Sequence, residues 1–232
     1  MAINRYIDHT ILKPTSTLED IKQLCMEAVE YEFAAVCVPP PFVKMAKNFL
    51  HATTTKVATV IGFPFGYSAI EAKVAEAVLA IVDGADEIDM VASLLAIRNN
   101  DWAYLEKEIA TILPIIRNKQ KVLKVIIESG ILLEEEIIQC CALYGRYGVD
   151  FVKTSTGYAE HGATVEAVRL MRRELPANIQ IKASGGIRTF AFASELLAAG
   201  ATRLGCSASV KIMQEAGVQG NTPAKEGDIS NY

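Results

Sequence analysis

Long hydrophobic runs are missing from this sequence. None approaches the roughly 18 apolar residues of a membrane-spanning helix. The opening residues, Met1 to Asp8, lack the basic-then-apolar pattern of a secretory signal. A cytoplasmic protein is the expectation from both. Cysteines are few, five in all, odd in number and without a Cys-x-x-Cys pair. Neither a disulfide framework nor a zinc site is signalled, and Cys140 and Cys141 are adjacent, a poor geometry for a bridge. The three histidines, His9, His51 and His161, show no metal-ligand spacing, so no metal is expected. No Gly-x-Gly-x-x-Gly follows the first strand candidate, which removes the main sign of a dinucleotide-binding open sheet. An excess of positive charge is also missing. The formal charge is −4, which gives no general attraction to nucleic acid or anionic lipid. Binding of a phosphorylated ligand must come from a local site.

What is present is a regular alternation. Over 232 residues, 51% are hydrophobic and 22% charged, the balance of a folded domain. Eight short apolar runs read as strands: Tyr6–Thr10, Ala34–Val38, Val57–Gly62, Glu87–Met90, Val122–Glu128, Phe151–Thr154, Ile179–Ala183 and Thr202–Gly205. Several are nearly continuous, as buried parallel strands are. Between them lie amphipathic stretches. One follows the capping residues Ser16 and Thr17, with Ile21, Leu24, Cys25 and Ala28 at spacings of three and four. Others are Ser68–Asp83, Trp102–Asn118, Glu134–Tyr147, Thr164–Leu175 and Phe190–Ala199. Pro114 is expected to kink or interrupt its helix. The alternation predicts a single-domain (β/α)8 barrel over residues 1–219, with an open doubly wound sheet second. Residues 220–232, ending in Tyr232, read as a polar tail. Tyr232 is a terminal phenol that would assist proton transfer if the tail folds over the site; an inert end is the competing reading.

A barrel of this kind carries its active site at the C-terminal ends of the strands. Reactive groups concentrate there. Glu87 and Asp89 fall on one face of their strand by alternation. Lys153 lies inside Phe151–Thr154, and Lys182 inside the next strand. Lysine is seldom buried without a reason. Two lysines on neighbouring strands repel, and repulsion with desolvation lowers a lysine pKa. The free amine then attacks aldehydes to form an imine, and Asp89 is placed to shuttle protons. A lysine pair with an acid is a kit for class I aldol chemistry, which needs no metal or other cofactor. Ordinary salt bridges are the competing reading of each lysine alone. Lys124 sits in a similar run, earlier in its strand, and is read as an ion-pair partner for an interior acid. Two glycine-containing loops, Ser184-Gly185-Gly186-Ile187-Arg188 and Gly205-Cys206-Ser207-Ala208-Ser209, follow the last two strands. Barrel phosphate sites form there, although tight turns alone also explain such loops. Cys37, on a strand near the pocket, is read as a packed thiol.

The ordered motifs resemble deoxyribose-phosphate aldolases. They are Ile7-Asp8-His9-Thr10-Ile11-Leu12-Lys13-Pro14, Val36-Cys37-Val38, Gly62-Phe63-Pro64, Glu87-Ile88-Asp89-Met90-Val91, Lys153-Thr154-Ser155-Thr156-Gly157 and Lys182-Ala183-Ser184-Gly185-Gly186-Ile187-Arg188. The resemblance implies reversible cleavage of 2-deoxy-D-ribose 5-phosphate to D-glyceraldehyde 3-phosphate and acetaldehyde, in deoxyribonucleotide catabolism. It implies Lys153 as the Schiff-base lysine, Lys182 as the lysine that depresses its pKa, and Asp89 as the proton relay. It places Asp8, Thr10 and Thr156 at the substrate, and Gly157, Gly185, Gly186, Gly205 and Ser207 around the phosphate. Partners are then small aldehydes and sugar phosphates, with no nucleic acid or membrane, and a homodimer or homotetramer is expected. Tyr158, where some relatives carry a basic residue, departs from the pattern, as do Pro39 and the hydroxyl-poor stretch Gly205 to Ala208. Two other readings stay open on the residues: a sugar-phosphate isomerase working through an enediolate, and a non-catalytic sugar-phosphate-binding protein.

Overall fold

The computed structural model describes residues 3–218. The tail at 220–232, and Tyr232 with it, lies outside the described residues. Eight parallel strands close into a barrel in sequence order: β1 (Ile7–Thr10), β2 (Ala35–Val38), β3 (Lys56–Ile61), β4 (Glu87–Val91), β5 (Val122–Ile126), β6 (Phe151–Lys153), β7 (Gln180–Ser184) and β8 (Arg203–Cys206). β8 closes on β1 with Asp8 opposite Gly205. The helices are α1 (Leu18–Glu30), α2 (Val43–Phe49), α3 (Ile70–Val82), α4 (Leu94–Arg98), α5 (Trp102–Asn118), α6 (Glu134–Tyr147), α7 (Val165–Glu174), α8 (Phe190–Ala198) and α9 (Ser209–Glu215). The chain is one (β/α)8 domain, and none of the described helices is long and apolar enough to cross a membrane.

Each strand candidate becomes a strand. The first is shorter than its apolar pattern, because residues Ile3–Tyr6 wind into a 3-10 turn before it. α1 starts where its capping signal stands. The Thr17 hydroxyl accepts the Asp20 N–H, and the Asp20 carboxylate accepts the Thr17 N–H at 2.7 Å, which satisfies two otherwise orphaned donors. Pro114 does not end its helix: α5 runs through it to Asn118. Ala110, whose carbonyl loses its helical partner, faces solvent, as does Pro114, so the freed carbonyl is open to water.

The two faces of the barrel wall differ in kind. Residues turned outward, such as Ile88, Met90, Val125, Val152, Ile181 and Leu204, join the main hydrophobic core between strands and helices. On β2 and β3 the inward residues are small and apolar, Cys37, Ala58 and Val60, packed with Leu12 and Phe63. The other strands turn charge inward. Asp8, Glu87, Asp89, Lys124, Lys153 and Lys182 are all buried, where barrels ordinarily stack branched aliphatics.

A separate buried pair holds the end of β4. Lys73 of α3 donates to Glu108 of α5 at 2.6 Å and to the Val91 carbonyl at 2.7 Å. The other Glu108 oxygen accepts the Ser93 N–H. Burial pushes the Lys73 pKa down and the Glu108 pKa up, each towards its neutral form. Replacing Lys73 with methionine therefore strands a desolvated carboxylate. We expect a loss of about 3–5 kcal/mol in urea unfolding. A methionine variant as stable as the parent would show that the pair contributes nothing.

Candidate active site

Lys153, the last residue of β6, projects from the barrel interior to the floor of a cavity of about 630 Å³. It is 3% exposed, and its Nζ lies 2.7 Å from Asp89 Oδ2. The same carboxylate oxygen accepts Lys182 at 2.7 Å, and its other oxygen accepts Lys124 at 2.8 Å. Asp89 is thus the hub of three ammonium groups, which hold its carboxyl well below the usual range against the cost of burial. Lys124 also reaches Glu87 at 2.6 Å. Lys182 also pairs with Asp8, which pairs with Arg203 at 2.7 Å, and Arg203 touches Glu87 at 3.1 Å.

Charge counting separates the lysines. Among the described residues, the network connected by ion pairs holds three acids, Asp8, Glu87 and Asp89, and four bases, Lys124, Lys153, Lys182 and Arg203. Three bases suffice to balance it. Lys153 is the surplus one, since Glu128, the other buried acid that feels its charge, has its carboxyl pushed up by burial towards the neutral form. Burial lowers its pKa, the attraction of Asp89 opposes that, and the repulsion of Lys182 adds to it. Lys124, Lys182 and Arg203 move the other way, because their acid partners outweigh their burial. The sequence suggested mutual depression of the two lysines. The structure resolves it into one lowered lysine, Lys153, and one raised lysine, Lys182, which has Asp8 as a second partner.

The rim is stitched from the β6 and β7 loops. Thr154 N–H donates to the Lys182 carbonyl at 3.0 Å, and the Ser184 hydroxyl donates to the Ser155 carbonyl at 2.6 Å. Gly162 packs flat on this seam: a Cβ there would lie 2.3 Å from the Gly185 carbonyl oxygen. That glycine escaped the sequence reading, since nothing in its own neighbourhood marks the close approach. Gly157 and Gly186 adopt φ of +89° and +77°, and a Cβ on either would meet open space. Both line the cavity, so their backbones are free to approach a ligand.

The residues singled out from sequence fall into two layers. Thr10, Lys153, Thr156, Gly157, Gly185, Gly186, Gly205 and Ser207 line the cavity, as does Arg188. Asp8, Asp89 and Lys182 lie beneath, fully buried and committed to ion pairs. The Thr156 hydroxyl donates to the buried carboxylate of Glu128 and accepts the Tyr158 N–H at 3.0 Å, so it shapes the loop. Glu128, with φ of +55°, and Arg203 are neighbours of these residues that sequence patterning missed. Alternation in β8 carries the missing signal for Arg203, because it shares a face with Gly205. The Cys37 thiol is buried and its pKa is pushed up to about 11 by that burial, so it stays protonated and packed.

Comparison with known proteins shows the family. Residues 3–215 match the profile of the DeoC/LacD family aldolases. A deoxyribose-phosphate aldolase of Caldanaerobacter subterraneus subsp. tengcongensis is 48% identical over 221 residues, 95% of this chain and 96% of that one. One from Thermococcus kodakarensis is 50% identical over 216 residues, 92% and 96% of the two chains. Among solved structures, a putative deoxyribose-phosphate aldolase from Coccidioides immitis superposes with a TM-score of 0.90 at 40% identity, covering 94% of this chain and 86% of that one. The deoxyribose phosphate aldolase from Aeropyrum pernix, described as a unique tetramer, gives 0.86 at 30% identity, covering 93% and 91%. A closed parallel barrel of this family, with a cavity at the C-terminal ends of its strands, defines a carbon–carbon lyase in outline. The chain belongs to the DeoC/LacD family of aldolases and is an aldehyde-lyase.

Proposed function

We propose that this aldolase reversibly cleaves 2-deoxy-D-ribose 5-phosphate to D-glyceraldehyde 3-phosphate and acetaldehyde through a Schiff base on Lys153. The observation that carries the proposal is the surplus amine: Lys153 is the one base of the interior network whose pKa is lowered, and it faces the cavity. The neutral amine attacks the aldehyde carbon of the open-chain sugar. Loss of water gives the iminium, which accepts the electron pair when the C2–C3 bond breaks. The C3 hydroxyl proton departs as glyceraldehyde 3-phosphate forms. The remaining enamine takes a proton on carbon, and hydrolysis frees acetaldehyde and the amine. Asp89 and Lys182, both within hydrogen-bond reach of each other below Lys153, move these protons, directly or through a water. No cofactor is needed, because the protonated imine is itself the electron sink.

The phosphate has a site remote from the reacting carbon, where its binding orients the sugar. Gly157, Gly185, Gly186, Gly205 and Ser207 offer backbone and hydroxyl donors on the cavity wall, and Arg188 adds charge. The tetrameric relative supports a homo-oligomer. Five free, buried cysteines fit the reducing cytoplasm.

Incubation with acetaldehyde followed by borohydride tests the mechanism. The expected product carries one ethyl group, on the peptide containing Lys153. Scattered labelling of surface lysines, or none, removes the covalent mechanism.

A further inference from the structure

His9 stands apart from the ion-pair network. Alternation turns it outward from β1, opposite to Asp8, into the space between α1 and α9. It is 4% exposed. Its Nε2 lies 2.7 Å from Glu27 Oε2, and its Nδ1 lies 2.9 Å from Ser209 Oγ. Ser209 Oγ donates to the Cys206 carbonyl at 3.0 Å. The Phe33 ring packs on the imidazole at 5.2 Å.

The protons in this chain can be counted. The Cys206 carbonyl only accepts, so it takes the Ser209 hydroxyl proton. The Ser209 oxygen then accepts from His9 Nδ1–H. The Glu27 carboxylate also only accepts, so His9 Nε2 carries a proton too. All three bonds exist together only with a doubly protonated imidazole. The hydrogen bond with His9 also lowers the Glu27 carboxyl, keeping it ionised.

The chain ends on a part of the cavity wall. Cys206 ends β8 and Ser209 opens α9. Between them is Ser207, which lines the cavity beside Gly205, as do His9 and Glu27 themselves. The Ser209 hydroxyl closes this loop on itself, His9 holds Ser209, and Glu27 holds His9 to α1. We propose that Glu27, His9 and Ser209 form a proton-dependent clamp on the β8–α9 loop, with His9 a positioning residue for recognition of the phosphate. The clamp rests on the reading of that loop as part of the phosphate site. The titratable groups facing His9 are Glu27 of α1 and Cys206 of β8, while Asp8 points into the barrel. Loss of one His9 proton leaves an acceptor nitrogen, and one link must open: the bond to Glu27, or the loop closure on Cys206.

The test uses the full-length protein and sulfate, whose charge is constant across neutral pH. Nitrogen-15 histidine spectra of the sulfate-bound protein are expected to show both His9 ring nitrogens protonated, as the three hydrogen bonds require. Sulfate binding is expected to weaken as pH rises in the wild-type protein, with a flatter profile in His9→Phe. That variant, and Glu27→Gln as a milder second, should bind sulfate about fivefold to tenfold more weakly, the scale of one lost hydrogen bond. The KM for deoxyribose 5-phosphate should rise by a similar factor with kcat unchanged, while turnover of unphosphorylated 2-deoxyribose stays the same. A neutral His9 in the wild-type protein, unchanged sulfate affinity in both variants, or equal losses on both sugars would overturn the clamp. Wild-type protein that binds sulfate in this His9-dependent way but cleaves no sugar phosphate would uphold the clamp and reject the assigned substrate.

Discussion

Replacing Lys153 with methionine is expected to lower kcat by about 10⁴-fold to 10⁶-fold, the scale seen when a covalent nucleophile is removed. The same substitution should leave the fold at least as stable as the parent. Methionine is close to lysine in length and flexibility and fills the same space. Asp89 is not stranded by the change, since Lys124 and Lys182 remain 2.8 and 2.7 Å from it. The sign of the effect follows from linkage. Burial lowers the folded-state pKa of Lys153 below the ordinary lysine value. Below that ordinary value the unfolded chain holds a proton that the folded chain holds less readily, so Lys153 costs stability there. The penalty is full below the folded pKa and fades as pH rises to the unfolded one. The methionine variant escapes it. Turnover and urea unfolding, measured on the same preparation, separate the two effects. A variant that is inactive because it unfolds would show that Lys153 is structural, and that the surplus-charge account is mistaken.

Why Lys153 was visible in the sequence, and parts of its setting were not, is a matter of range. The strands announce themselves by runs of β-branched residues, and period-two alternation then decides which side chains enter the barrel. That places Asp89, Lys124, Lys153 and Lys182 inside without a structure. It does not say which acid each lysine meets. Asp8 and Lys182 are 174 positions apart, and only closure of β8 on β1 brings them together. The difference matters, because this contact raises Lys182 and makes Lys153 the odd base out. Arg203 was passed over because it begins its strand, the end remote from a barrel's active face. The helices α2, α4 and α9 are too short for a periodic signal to stand out. His9 offered only its identity. Its partners come from α1 and from a residue 200 positions away.

Replacing Lys182 with methionine tests the charge count. The network would then hold three acids against Lys124, Arg203 and Lys153, and neutrality would require Lys153 to keep its proton. Asp89 would lose one of its three ammonium partners and draw more strongly on the other two. An opposite charge at this distance moves a pKa by roughly 1–3 units. A shift of about two units leaves about a hundredth of the former free amine at a fixed pH. Turnover at neutral pH should therefore fall about 100-fold, with the acid limb of the pH–rate profile displaced to higher pH and much of the rate recovered there. Stability should fall too, with a definite pH dependence. Lys182 has its folded pKa raised by Asp8 and Asp89, so it contributes stability that is present in full below the ordinary lysine pKa and is lost only as pH climbs through the folded value. Asp8 keeps Arg203 at 2.7 Å, which limits the loss at neutral pH. A fall in rate by the same factor at every pH would carry a different meaning. Lys182 would then act through its part in proton transfer alone, and the lowered pKa of Lys153 would be the work of burial.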